Sequence, residues 1–197
     1  ILNGDTIYTP KQKPIGFPLP RHTLSPGYKD ENNFDLSFLD IEHGMPSSYV
    51  RDIAEDKQKN IWLATSGGGL CKYDEHNLFI FNKENGLGSD HIYTLLVDSH
   101  GRVWMGTWQS DAICYNGNTI TKYATDQGLG AETVLTIFED KQQNIWIGTY
   151  GGGVSKLIFD NDLNAESITT YSTSSGLCDN RVVDIIELSD GRMAFAT

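Results

Sequence analysis

The sequence predicts an all-β protein: a β-propeller of four-stranded antiparallel blades, incomplete, with about three full blades and partial blades at both ends. Three observations predict it. A unit of 42 residues recurs, a tryptophan holds one place in it, and each unit has four short apolar runs parted by polar or glycine turns. Asn60-Ile61-Trp62-Leu63-Ala64-Thr65 returns as Arg102-Val103-Trp104-Met105-Gly106-Thr107 and as Asn144-Ile145-Trp146-Ile147-Gly148-Thr149, each a step of 42. A weaker copy, Arg192-Met193-Ala194-Phe195-Ala196-Thr197, follows after 48.

A second marker keeps the same register: Gly44-Met45, Gly86-Leu87, Gly128-Leu129 and Gly176-Leu177. The six extra residues of the last step fall in the polar run 159–166, which reads as a lengthened surface hairpin. Within the first unit, strands are expected over 49–55, 61–65, 70–73 and 78–81, and no window carries a helical apolar period. One such sheet cannot bury both faces alone, whereas stacked blades make a continuous core. Trp62, Trp104 and Trp146 are therefore expected between blades, with Ala194 marking a site filled differently.

The blades span about 44–85, 86–127 and 128–175, with a partial unit over 176–197; residues 34–40 read as the outer strand of a preceding or closing blade. Either that strand joins the last hairpin in a cramped four-bladed ring, or the chain is an open arc. The arc is the expected form, and its uncovered apolar face and strand edges lead us to expect self-association.

Residues 1–33 differ in character. Pro10, Pro14, Pro18, Pro20 and Pro26 alternate with Lys11, Lys13, Arg21 and Lys29, a composition of extended, polyproline-like chain that reads as a spacer rather than a recognition ligand. Ile1 opens the sequence without the charged and apolar regions of a signal peptide, so it reads as a mature product or a cut piece.

Charge and motif content narrow the function. The formal net charge of −11 repels phosphate backbones and anionic lipid, so neither nucleic acid nor membrane contact is expected of this segment. Cys71, Cys114 and Cys178 lack metal spacing and read as small core residues; the five histidines lack any metal-binding pattern and read as solvated loop residues. Asp56, Asp98 and Asp140 recur six residues before each Trp, which spreads them round the arc and suits turn capping, not a converging acid cluster. The triple glycines lack the helix and Lys of a phosphate cradle and read as tight turns. No catalytic residue, metal or cofactor is expected.

The string Gly44-Met45-Pro46-Ser47-Ser48-Tyr49-Val50, then Asp56, Asn60 to Thr65, Gly67-Gly68-Gly69-Leu70 and Tyr73-Asp74, resembles the two-component regulator propeller repeat. The resemblance extends over 34–197. Lys59 and Gln143 stand where that family has a turn glycine, held here by Gly101 and Gly191, and Gln109-Ser110-Asp111 replaces the glycine triplet in the second unit. The resemblance implies the periplasmic sensor region of a membrane-bound hybrid histidine kinase of Bacteroidetes, many of which respond to oligosaccharides; kinase and anchor belong to a parent protein.

On that reading, ligand contacts fall on the face where second-to-third-strand loops and blade-to-blade loops emerge together. Ser66, Trp108 and Tyr150 share one repeat position there, and Tyr49, His91, Thr133 and Arg181 share another. Trp108 and Tyr150 are candidates to stack on sugar rings, and Gln109, Asp111 and Arg181 to bond hydroxyls, with Tyr49 and His91 beside them. The competing classes are a structural or dimerising scaffold without small ligand and, last, a propeller lyase or quinone-dependent dehydrogenase.

Overall fold

Short apolar runs joined by tight turns leave each unit no choice but to pair with itself, and the computed structural model, which describes residues 12–15, 19–22, 27–28 and 37–197, shows that pairing. The leading strands are β1 (Gln12–Pro14), β2 (Arg21–His22), β3 (Gly27–Tyr28) and β4 (Ser37–Phe38). Blade one follows as β5 (Val50–Glu55), β6 (Ile61–Thr65), β7 (Leu70–Tyr73) and β8 (Asn77–Phe81). Blade two is β9 (Ile92–Val97), β10 (Val103–Thr107), β11 (Ala112–Tyr115) and β12 (Thr119–Tyr123). Blade three is β13 (Val134–Glu139), β14 (Ile145–Thr149), β15 (Val154–Phe159) and β16 (Ala165–Tyr171), and β17 (Asp184–Glu187) with β18 (Met193–Ala196) begins a fourth. All pairings are antiparallel, the four strands of each blade form a meander, and among the described residues there is no α-helix.

The lengthened hairpin is where the sequence places it: β15 and β16 outrun their counterparts and carry a register shift at Phe159. β4 pairs with β3, not with the β17–β18 hairpin, so the sheets form an open arc and not a four-bladed ring. Each blade is preceded by a single 3-10 turn that sequence reading does not anticipate. These turns end at Gly44, Gly86, Gly128 and Gly176, whose φ values of 95–104° only glycine adopts without strain. The recurring Gly-Met/Leu pair thus marks a left-handed stop followed by an apolar plug; Met45, Leu87 and Leu129 are all buried.

Between blades the three tryptophans do what their recurrence predicts. Trp62, Trp104 and Trp146 are 3%, 0% and 7% exposed, so each indole is removed from water. Each meets an aromatic of its own outer strand and one of the next blade. Trp62 lies 6.0 Å from both Phe81 and Tyr115, Trp104 5.2 Å from Tyr123 and 5.8 Å from Phe159, and Trp146 6.0 Å from Tyr171 and 5.6 Å from Phe195. Of the cysteines, Cys71 and Cys114 are buried, and burial pushes the Cys114 thiol far up; Cys178 instead sits exposed in the last blade-to-blade loop, where no strand face covers it.

Part of the leader lies on the blades. β1 extends blade two beyond β12, β2 extends blade one beyond β8, and Ile15 is buried with the core between them.

Candidate functional site

The two ends of each blade carry different chemistry. At one end a β-hairpin turn is organised around an aspartate. Asp56 accepts from the backbone N–H groups of Gln58 and Asn60, from the Asn60 amide, and from the Trp62 indole at 2.9 Å. Asp140 repeats this with Gln142, Asn144 and Trp146, the indole at 2.8 Å. Asp98 does so with His100, Arg102 and Trp104, the Arg102 Nε replacing the amide. The expected turn cap is present, and it has a second task. It satisfies the one polar atom of a buried indole, which would otherwise cost about 1–3 kcal/mol. Desolvation raises the Asp56 and Asp140 carboxyls, but the bonds from Asn60 or Asn144, from the indole and from backbone N–H together hold both below the ordinary value. With every oxygen engaged and the three sites set round the arc, these acids hold structure and are not available to a substrate.

At the other end, loops meet. Thr65, Thr107 and Thr149 are fully buried and close the second-to-third-strand loops by donating to the carbonyls of Gly69, Asp111 and Gly153. Each loop is then stapled to the following blade: Gly67 and Gly69 N–H donate to the Asp90 carbonyl, Asp111 to that of Glu132, Gly151 and Gly153 to that of Asn180. At the loop tips, Ser66 bridges to His91 and Tyr150 to Arg181. In blades one and three the backbone leaves Gly69 and Gly153 no room for a side chain, since a Cβ there would stand 2.1 Å and 2.0 Å from a carbonyl oxygen of the outer strand.

On this stapled base the variable side chains stand in two groups. The Arg51 guanidinium lies 4.7 Å over the Tyr49 ring and 4.6 Å over Tyr93, and Tyr93 stacks on Trp108 at 5.5 Å, 24° from parallel. Tyr49 and Trp108 are 58% and 41% exposed, so the ladder Tyr49–Arg51–Tyr93–Trp108 offers flat surface to solvent. His91 sits alongside, its Nδ1 3.3 Å from the Ser66 hydroxyl. In the second group Arg181 stacks 5.4 Å from the exposed Tyr150 ring.

Of the residues singled out from sequence, Tyr49, His91 and Trp108 come together, Tyr150 pairs with Arg181, and Gln109 is exposed beside Trp108. Asp111 goes elsewhere. It is buried, and its carboxylate takes Lys122 at 2.9 Å on the outer strand of its own blade. Arg51 and Tyr93 escaped sequence reading. They occupy one repeat position, 42 apart, two residues after Tyr49 and His91; the signal was a second variable position at the mouth of each inner strand. No cluster of metal-ligating side chains occurs among the described residues.

Three blades with a fourth begun, each a four-stranded meander stacked on its neighbour through a tryptophan, define an open segment of a β-propeller. The chain carries the two-component regulator propeller repeat three times, at residues 44–67, 86–109 and 128–151. Among solved structures it is similar to the extracellular domain of a hybrid two-component system from B. thetaiotaomicron, with TM-score 0.68, 22% identity and coverage of 92% of this chain and 26% of that one. A second such domain from the same organism matches at TM-score 0.61 and 18% identity over 75% of this chain and 22% of its own. Virginiamycin B lyase from Staphylococcus aureus matches at TM-score 0.59 and 14% identity, over 75% of this chain and 48% of the enzyme. At these identities the likeness is one of fold. The chain spans about a quarter of the two extracellular domains. No curated protein matches it.

Proposed function

We propose that this chain is part of the ligand-sensing propeller of a two-component signalling receptor, on the periplasmic side of the membrane, and that its ligand is an oligosaccharide bound at the loop face without chemical conversion. The observation that carries this reading is the exposed Tyr49–Arg51–Tyr93–Trp108 ladder, built on loops whose frame recurs while these side chains vary. Flat aromatic faces match the apolar faces of pyranose rings, and Arg51, His91 and Gln109 at their margin supply donors for hydroxyls. The repeats, and the fold shared with extracellular domains of hybrid two-component systems, support the receptor context. The recurrent aspartates are consumed by their turns and offer no acid–base group to that face.

A glycan screen against this chain tests the reading. Binding that falls on the order of tenfold or more in Trp108→Ala, with the melting temperature held, supports it. The scaffold reading predicts no glycan binding, and there the propeller serves association between copies. Light scattering at low concentration distinguishes that outcome.

A further inference from the structure

The leader pairs with the blades in a fixed phase. Lys13 pairs with Ile120 and Arg21 with Leu78; those partners stand one repeat of 42 apart, while the leader residues stand eight apart. Gln12 pairs with Thr121 and Tyr28 with Ser37, partners two repeats apart and leader residues sixteen apart. Two outer strands, β12 and β8, thus take leader strands at one register, eight residues per blade, running against the order of the blades, and the β3–β4 pair, whose β4 the sequence reads as an outer strand, keeps the same phase. The sequence has the same period: Pro10, Pro18 and Pro26 are eight apart, and so are Lys13, Arg21 and Lys29.

We propose that the leader is an eight-residue repeat that belts the outer rim, one octad per blade, and so fixes the angle between blades that share no strand. The chemistry of its residues fits that task better than a spacer's. A blade's outer strand presents unpaired N–H and C=O groups, and a fifth strand satisfies them. That fifth strand then becomes the edge, and it needs residues that stop a sixth. Pro14 lacks an N–H and is tolerated only where one side of a strand meets solvent; Lys13, likewise exposed, is a charge on the new edge. Anchoring comes from Ile15, buried between blades one and two with Leu87 and Ile113. Those are the two blades that carry the aromatic ladder.

The test uses the whole chain carrying Cys178→Ser. Directly opposed strand residues come within disulfide reach, whereas residues displaced by two do not. Gln12→Cys with Thr121→Cys is expected to oxidise at least roughly tenfold more completely than Gln12→Cys with Thr119→Cys, which lies on the same face but out of phase. Equal yields overturn the belt. Hydrogen exchange supplies an independent reading: removing residues 1–20 is expected to speed exchange in β12 on the order of tenfold and leave β16 unchanged, because β16 carries no fifth strand among the described residues. Unchanged exchange in β12, or an equal rise in β16, overturns it.

Discussion

The turn end and the loop end of these blades face opposite demands. At the turn end, Asp56, Asp98 and Asp140 each hold an indole N–H that packing has removed from water, so the residue type, its spacing and its partner are all dictated. At the loop end, Thr65, Thr107 and Thr149 close the backbone from beneath, which frees the side chains above to differ. Ser66, Trp108 and Tyr150 stand on one scaffold position without disturbing it. The difference teaches that a repeat fold buys variability on one face by fixing the other. The last unit sharpens this, because Leu188 and Ala194 stand where the Asp and Trp would be: the pair is lost together.

The largest expected effect breaks the fixed end. Trp104→Ala removes a fully buried indole and its contacts with Tyr123 and Phe159, so about 3–5 kcal/mol of stability should be lost in denaturant unfolding. A loss below about 1 kcal/mol would remove the tryptophan from the core between blades. Next comes Asp140→Leu, which strands the Trp146 N–H and is expected to cost about 1–3 kcal/mol. Combined with Trp146→Ala, the reproduction of the last unit, it should cost clearly less than the two single changes added, since the stranded donor is gone. Strict additivity would show that Asp and Trp act separately.

Acid titration probes the same end more gently. Asp56 and Asp140 have folded-state values below their ordinary one, so they contribute stability in full above the unfolded carboxyl value of about 4, and that contribution is lost as pH falls from there through the lower folded-state values. The melting temperature should hold from pH 7 to about 5 and drop below about 4. Asp140→Asn should flatten part of that drop, and an unchanged profile would show that this carboxylate is not titrating with folding.

How much of this was legible in the sequence follows from the same contrast. Trp62, Trp104 and Trp146 announced themselves by period, and their burial required only that the blades stack. The Asp–Trp bond was less visible, because a turn cap and a packing residue each have a sufficient local explanation; the joint absence at Leu188 and Ala194 was the clue. At the loop end, Arg51 and Tyr93 were hidden because the ladder joins neighbouring blades through side chains that no period repeats. Asp111 misled for a related reason: as a polar residue in a loop it looks outward, but its backbone has the position of Gly69 and Gly153, and its side chain turns inward to Lys122. The leader's octad was present as a proline spacing, masked by a composition that reads as spacer.

The smallest expected effect is a gain, and it separates backbone strain from side-chain pairing at the fixed end. Lys59 and Gln143 hold φ values of 71° and 66° at the turn position where Gly101 and Gly191 have 81° and 83°. A side chain in that left-handed region costs roughly 1–2 kcal/mol, against about 0.5–1 kcal/mol for the extra chain entropy that glycine loses on folding. Gln143→Gly should therefore stabilise by about 0.5–1 kcal/mol. Lys59→Gly meets an offset, because Lys59 also pairs with Glu55 at 3.0 Å, an exposed contact worth only a few tenths of a kcal/mol. Its gain should be the smaller of the two, and Glu55→Ala should erase the difference between them. If Gln143→Gly instead lowers the unfolding midpoint, the turn is not strained, and the glycine of the other two units answers to something besides backbone conformation.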